Sequence, residues 1–261
     1  MSTEQRPEEE NLFDSVRSLY ATPESLAHYG EFARNVGLAP PERAMIERFM
    51  SPPGAVLDMG CGAGREAFAL AKIGYSVTGV DITPELLQLA KALSVELGLD
   101  VDFRLGNGRS LDFPAASFDY VLLITQVIHS VPLRANRVAL FREAQRVVKP
   151  EGRVVLTYND YDIAKTHAPW GGDRPPTSTA EAIARGYPVL EPGDRFDDEC
   201  QGQTTGVYGY HHDFTRNEIE KEVLASGLEI VDHACFHTIA GGEPDEFWKP
   251  TRILVLKPPS R

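Results

Sequence analysis

The chain has 261 residues, 25% of them charged, and a formal net charge of −12 at pH 7. That length suffices for one sizeable core, and an acid excess without a basic tract repels nucleic-acid phosphates. Cys61, Cys200 and Cys235 are widely spaced and fit neither a disulfide framework nor a metal motif, and neither a leader peptide nor a membrane-spanning apolar run is recognisable, so a soluble cytoplasmic protein is expected.

Residues 1–11 are polar and acidic, and are expected to be unstructured. Helical apolar spacing follows over 12–20 and 24–36, with Thr22-Pro23-Glu24 as a start signal, and Pro40-Pro41 opens a third helix to about Met50. The first two helices carry Phe13, Tyr20, His28, Tyr29 and Phe32, which either pack the helices down or cover a site. Ala55 to Leu57 ends a buried strand, and Asp58-x-Gly60-x-Gly62-x-Gly64 turns it into a helix over 66–73. Glycines there bring backbone N–H groups close to a ligand. The pattern is not the dinucleotide fingerprint, because Arg65 stands where that motif requires its third glycine. A second strand, 75–80, ends in Asp81, whose carboxylate can accept both hydroxyls of a ribose.

Thr83-Pro84-Glu85 then starts a helix, with Thr83 as its cap, that Gly98 stops. Strands are expected over 101–105 and 118–124, a helix over 136–148, a turn at 149–152 and a fifth strand over 153–158. Strands alternating with helices imply parallel crossovers. The pattern breaks over 160–205, a stretch rich in proline, glycine and acid, which reads as a lid with a short helix at Thr179 to Arg185. In a strand over 207–214, alternation places Tyr208, Tyr210 and His212 on one face. Thr215 to Glu218 resembles a capping box for a helix ending at Gly227, and 228–237 and 253–257 complete the strands.

Four stretches in order, VLDMGCGAG, GVDIT, GNGRSLDFPAASFDYVLL and FREAQRVVKPEGRVVLT, cover about residues 55–158 and resemble the Rossmann-like, class I S-adenosylmethionine-dependent methyltransferases. The resemblance implies a seven-stranded, mostly parallel sheet with an antiparallel last strand. It implies a tail and helical cap over 1–50, and a cofactor domain over 51–261 with the lid at about 160–205. S-adenosylmethionine would be the cofactor and S-adenosylhomocysteine the product. Asp58, Gly60, Gly62 and Gly64 would then serve the methionine half, Asp81 the ribose, and Asn107, Gly108 and Ile82 the adenine, with Ile124 beside the cofactor. Asn107 stands where the family usually has Asp, and keeps an acceptor oxygen.

For the acceptor, the candidates are Tyr20, Tyr29, Gln126, Asn159, Tyr161, Tyr208 and Tyr210, and for proton transfer His129, His212 and Tyr20. His129 reads equally as a residue that orients the loop after the fourth strand, and the tyrosines of 207–214 as the wet face of an edge strand. His211 and His212 lack metal-ligand spacing, so no metal is expected. The expected reaction is methyl transfer to a small molecule, first to a basic amine. The negative charge, the acids Asp197-Asp198-Glu199 and the aromatics flanking the presumed pocket favour a cationic guest. A hydroxyl acceptor, an RNA acceptor and a non-catalytic cofactor-binding protein are the alternatives. Nucleic acid and membrane are disfavoured as partners, and self-association stays open.

Overall fold

Runs such as Val56-Leu57, Val121-Leu122-Leu123 and Val154-Val155-Leu156 have no polar face, so they require cover on both sides. All eight residues are fully buried. A computed structural model describes residues 5–35, 37–125, 127–166, 184, 186, 191–200, 203–239, 241 and 250–259. The runs form the centre of a seven-stranded sheet built from β1 (Ala55–Met59), β2 (Ser76–Asp81), β3 (Asp102–Leu105), β4 (Phe118–Leu123), β5 (Val148–Asn159), β8 (Glu229–Cys235) and β9 (Thr251–Lys257). The order is β3-β2-β1-β4-β5-β9-β8. Neighbours among β1 to β5 pair in parallel, and β9 runs antiparallel to both β5 and β8. This is the expected Rossmann-like arrangement, with the antiparallel strand last in the chain.

Helices cover both faces. α4 (Arg65–Lys72) and α5 (Pro84–Leu97) follow β1 and β2, while α6 (Arg134–Val147) and α8 (Arg216–Ser226) pack together on the other side. Before the sheet stand α1 (Gln5–Tyr20), α2 (Pro23–Asn35) and α3 (Pro40–Phe49). The tail expected to lack structure is therefore helical from Gln5. Leu12, Phe13, Val16 and Leu19 supply the buried stripe that holds α1 down, and Glu9 is tied to Arg109.

Three local expectations are corrected. The turn expected at 149–152 belongs to β5, because Val148 already pairs with Phe118 before the register shifts. Thr83 caps α5 by backbone position only; the side chain at that corner is Asp81, whose Oδ1 accepts from Thr83 N at 2.8 Å. Thr215 Oγ1 accepts from Glu218 N at 3.3 Å, but the Glu218 carboxylate turns to His212 instead of closing the box.

Within the insertion, α7 (Tyr161–Ala164) is followed by β6 (Asp194–Cys200), which pairs antiparallel with β7 (Gln203–His212) as a separate two-stranded sheet. This hairpin lies on α1. Tyr210 N donates to Ser15 Oγ at 3.1 Å, and Gly209 leaves room for Leu19, which a Cβ would approach to 2.6 Å. The helix expected at 179–185 and the candidate Gln126 lie outside the described residues. Among the described residues, no helix is long and apolar enough to cross a membrane.

Candidate active site

The turn after β1 is shaped by what surrounds each glycine. A Cβ on Gly60 would lie 2.5 Å from Val127, and one on Gly64 would lie 2.9 Å from Phe68 and Phe103; both have positive φ. Gly62 differs: its φ is +52°, and no atom lies within 4 Å of where a Cβ would stand. Two of the glycines thus serve close packing, and the middle one faces open space. That space belongs to a cavity, lined by Gly62 among others, beyond the carboxyl ends of the parallel strands.

The loop does not offer its amides as expected. Gly60 N and Cys61 N donate to Val80 O at 2.7 and 3.1 Å, Gly62 N to Asp81 Oδ2 at 2.8 Å, and Gly64 N to Cys61 O at 2.9 Å. Spent amides make a poor phosphate cradle and leave carbonyls and carboxylates to set the local potential. Asp58 is 3% exposed, stands behind the loop rather than on the cavity wall, and has an Oδ2 without a partner. Burial, and then the nearby Glu66, push its carboxyl well above the ordinary range. The expected service of Asp58 to the methionine half is therefore not a direct one, since a buried carboxyl held neutral behind the loop neither touches the cavity nor lends it charge.

Asp81 is on the wall and buried, and each of its oxygens accepts one backbone N–H, from Gly62 and from Thr83. Its first task is to pin the glycine loop to β2, and its place on the wall lets the carboxylate face a ligand there. Ile82, Asn107 and Gly108 also line the cavity. Asn107 Oδ1 accepts from Arg109 N at 3.1 Å, so its acceptor capacity is partly used. Ile124 is corrected: it is 3% exposed in the core cluster behind the sheet end, and the wall there is Thr125, Val127 and Ser130.

The cap helices roof the cavity with Phe13, Val16 and Tyr20 from α1 and Tyr29 and Phe32 from α2. Tyr20 and Tyr29 meet edge to face at 5.8 Å, and the Tyr20 hydroxyl lies 3.1 Å from Ser130 Oγ. Beneath Phe32 lies a polar group that the sequence reading missed. Arg65 stacks 4.7 Å from the Phe32 ring and donates to Glu42 Oε1 at 2.6 Å, to Gly37 O at 2.7 Å, to Thr125 Oγ1 at 2.9 Å and to Glu66. Burial opposes the guanidinium charge, but Glu66 and Glu42 outweigh it, so Arg65 is held charged. Arg65 and Glu66 are on the wall, and two acids share one base.

The other candidates are elsewhere. His129 is 1% exposed; its Nε2 accepts from Asn159 N at 3.0 Å, which leaves Nδ1 to donate to His212 O at 2.6 Å. Burial lowers its pKa to about 3, so it is a neutral bracket between strands rather than a base at the cavity. His212 is fully buried, with Nδ1 2.5 Å from Asp194 Oδ1 and Nε2 3.1 Å from Glu218 Oε1. Burial opposes its charge, but the two carboxylates prevail and its pKa is raised. Tyr210 is buried and donates to the same Asp194 oxygen at 2.5 Å. Asn159 Oδ1 accepts from Thr251, while Tyr161 and Tyr208 are exposed by 37% and 44%.

None of Asn159, Tyr161, Tyr208, Tyr210 and the two histidines borders the cavity. Among the described residues the insertion supplies no wall at all; it supports α1 from outside. Two clusters, His129-His211-Asp213 and Glu191-Asp194-His212, bring ligand atoms within 4.8 Å of one another. Both nitrogens of His129 and of His212 are already engaged with protein, which leaves His211 as the remaining histidine of the first cluster and the second with carboxylates alone.

Residues 57–156 match the family model of a methyltransferase domain. The ubiquinone biosynthesis O-methyltransferase of Xanthomonas axonopodis pv. citri (strain 306) is 34% identical over 122 residues, 46% of this chain and 49% of that protein. The demethylmenaquinone methyltransferase of Tropheryma whipplei (strain Twist) is 38% identical over 101 residues, 39% of this chain and 40% of that protein. The chain thus spans about half, or less, of the length of these curated relatives. An S-adenosylmethionine-dependent methyltransferase from Clostridium acetobutylicum ATCC 824 shares the fold, with a TM-score of 0.64 at 14% identity over 91% of this chain and 99% of that one. From within β1 to the fifth strand, residues 57–156 thus match a methyltransferase domain, and the chain has the Rossmann-like fold seen in that S-adenosylmethionine-dependent methyltransferase.

Proposed function

We propose that the chain transfers a methyl group from S-adenosylmethionine to a basic amine of a small molecule. The observation that carries the cofactor reading is the open space over Gly62, whose amide is spent on the buried Asp81 carboxylate that shares the cavity wall. A cationic guest suits that charge, and a polyphosphate does not. When bound, S-adenosylmethionine supplies an electrophilic methyl group and leaves as S-adenosylhomocysteine. Asp81 would hold the ribose, Ile82, Asn107 and Gly108 would surround the adenine, and the Gly62 cradle would take the methionine half. Phe13, Tyr20, Tyr29 and Phe32, as a cap, would exclude water from the acceptor.

The amine reading rests on what the wall lacks. Among the described residues no imidazole borders the cavity, because His129 and His212 are both committed to the scaffold. An amine can give its proton to water and then attack through its lone pair, with the methyl–sulfur bond breaking and its electron pair remaining on sulfur. A hydroxyl needs a positioned base more strictly. The acids Asp197 and Asp198, which motivated the same reading from sequence, do not reach the cavity; Glu66 does. The test incubates the full chain with methyl-labelled S-adenosylmethionine and a pool of small metabolites. Label on the nitrogen of a low-mass product, formed faster as pH rises, is the expected result. Label on oxygen or carbon rejects the amine, and label confined to RNA rejects the small-molecule acceptor.

A further inference from the structure

The cavity wall holds one acid that none of the cofactor motifs claims. Glu66 lies in the first turn of α4, directly after the glycine loop, and accepts from both Arg65 Nη2 and Thr125 Oγ1. Each partner is itself fixed. Arg65 is gripped by Glu42 and Gly37 O and covered by Phe32. Thr125 sits at φ +56°, a conformation that a β-branched residue rarely adopts and that persists only where its surroundings enforce it. Thr125 lies two residues past β4, at its carboxyl end, the sheet end to which open α/β sheets bring their ligands. Glu66 is thus immobilised at that end and shares the wall with the rings of Tyr20, Tyr29 and Phe32. A fixed carboxylate among aromatic faces recognises an alkylammonium by charge-assisted hydrogen bonding and by attraction to the rings.

We propose that Glu66 is the specificity-determining residue of the acceptor subsite, receiving the ammonium of an amine carried on an aromatic or apolar body, with Arg65 and Thr125 as its positioning residues. The proposal rests on the amine reading above. Glu66 makes and breaks no covalent bond; it selects the acceptor by charge and sets its depth in the cavity. The expectation that acids of the insertion perform this task is replaced by one residue of the cofactor domain.

The probes are phenethylamine and its neutral counterpart 2-phenylethanol, titrated calorimetrically into the full chain loaded with S-adenosylhomocysteine at neutral pH. Wild type is expected to bind the amine about tenfold or more tighter than the alcohol, the size of one charge-assisted hydrogen bond. Glu66→Gln should lose that preference and keep its affinities for the alcohol and for S-adenosylhomocysteine within about threefold, the range of a neutral isostere. Thr125→Val should weaken the amine preference and Thr125→Ser, which keeps the hydroxyl, should restore it. Wild type showing no preference for the amine, or binding neither probe, overturns the proposal whatever the variants do. So does a Glu66→Gln loss that falls equally on S-adenosylhomocysteine, since that places Glu66 in the cofactor half. A native product methylated on oxygen, with the Glu66-dependent preference intact, overturns the amine reading but not the subsite; N-methyl transfer undiminished in Glu66→Gln does the reverse.

Discussion

Two buried polar networks stand on opposite sides of this molecule, and they differ in what they leave unsatisfied. Around β6, β7, α6 and α8, Arg137 is 1% exposed and pairs with Glu222 through two bonds of 2.7 and 2.9 Å and with Glu191 at 3.0 Å. His212 sits nearby between Asp194 and Glu218, fully buried. What is left over there, among the described residues, is donors of arginine, Arg137 Nη1 foremost. Around the glycine loop the atom left over is a carboxyl oxygen, Asp58 Oδ2, and Glu42 and Glu66 outnumber Arg65 beside an open cavity. Both networks would be costly to leave half-made. The first closes on itself and holds the insertion to the core; the second waits for positive charge.

The largest expected effect breaks the closed network. Arg137→Met leaves the fully buried Glu222 without its partner, and should lower unfolding free energy by about 3–5 kcal/mol in urea titrations. The folded fraction should still bind S-adenosylmethionine normally. A collapse of cofactor affinity at unchanged stability would erase the distinction between the networks.

Next comes Asp81→Ala, on the open side. Removing the carboxylate frees Gly62 N and takes away the ribose acceptor, so calorimetry should show S-adenosylmethionine binding weakened by roughly 3 kcal/mol. Unchanged affinity would remove Asp81 from the cofactor site.

The histidines sharpen the comparison through pH. His212 has a folded pKa raised above its usual value near 6.5, so the stability it contributes is complete below about pH 6.5 and is lost as pH rises through the folded value. The wild type should therefore exceed His212→Gln by about 2–3 kcal/mol at pH 6, two bonds to charged groups less what glutamine recovers, and the gap should narrow toward pH 9. His129 acts with the opposite sign. Its pKa, lowered to about 3, gives stability above about pH 6.5 that fades as pH falls toward 3. Denaturant midpoints of His212→Gln and His129→Gln, measured against wild type across pH, check the pair; parallel profiles would refute it.

The smallest effect separates packing from cradle. Gly62→Ala should cost about 1–2 kcal/mol of stability for its left-handed backbone and also weaken cofactor binding, because the new methyl enters the open space. Gly74→Ala, at φ +97° with equal room, should carry a similar folding cost and no cofactor effect. Equal affinities in the two variants would show that the space over Gly62 is not used.

What the sequence disclosed was local. The glycine turn, Asp81, the caps at Gly98 and Gly227 and the strand–helix alternation depend on neighbours a few residues away, and they stand where expected. Phe13 and Phe32 were legible as helix-face aromatics that either pack or cover a site, and the choice between the two depends on where the helices dock. Arg65 was noticed only as the residue that spoils a dinucleotide motif. Its partners Glu42 and Thr125 lie 23 and 60 residues away, so no window of sequence holds the cluster. His129 and His212 illustrate the converse. Their chemistry suggested catalysis, while burial and backbone partners, set by strands far apart in the chain, turn them into scaffold.

The contact between α1 and β7 also orders events in time. Tyr210 follows Ser15 by 195 residues, so at roughly 5–20 residues per second the hairpin leaves the ribosome about 10–40 s after the helix it must meet. A lone helix of 16 residues is marginal in water, and the apolar stripe of α1 has no finished surface to rest on during that interval. The sheet from β1 to β5 emerges within it and can assemble beforehand. In each newly made molecule the floor of the cavity is therefore laid first, and its roof is fastened only after most of the chain has been synthesised.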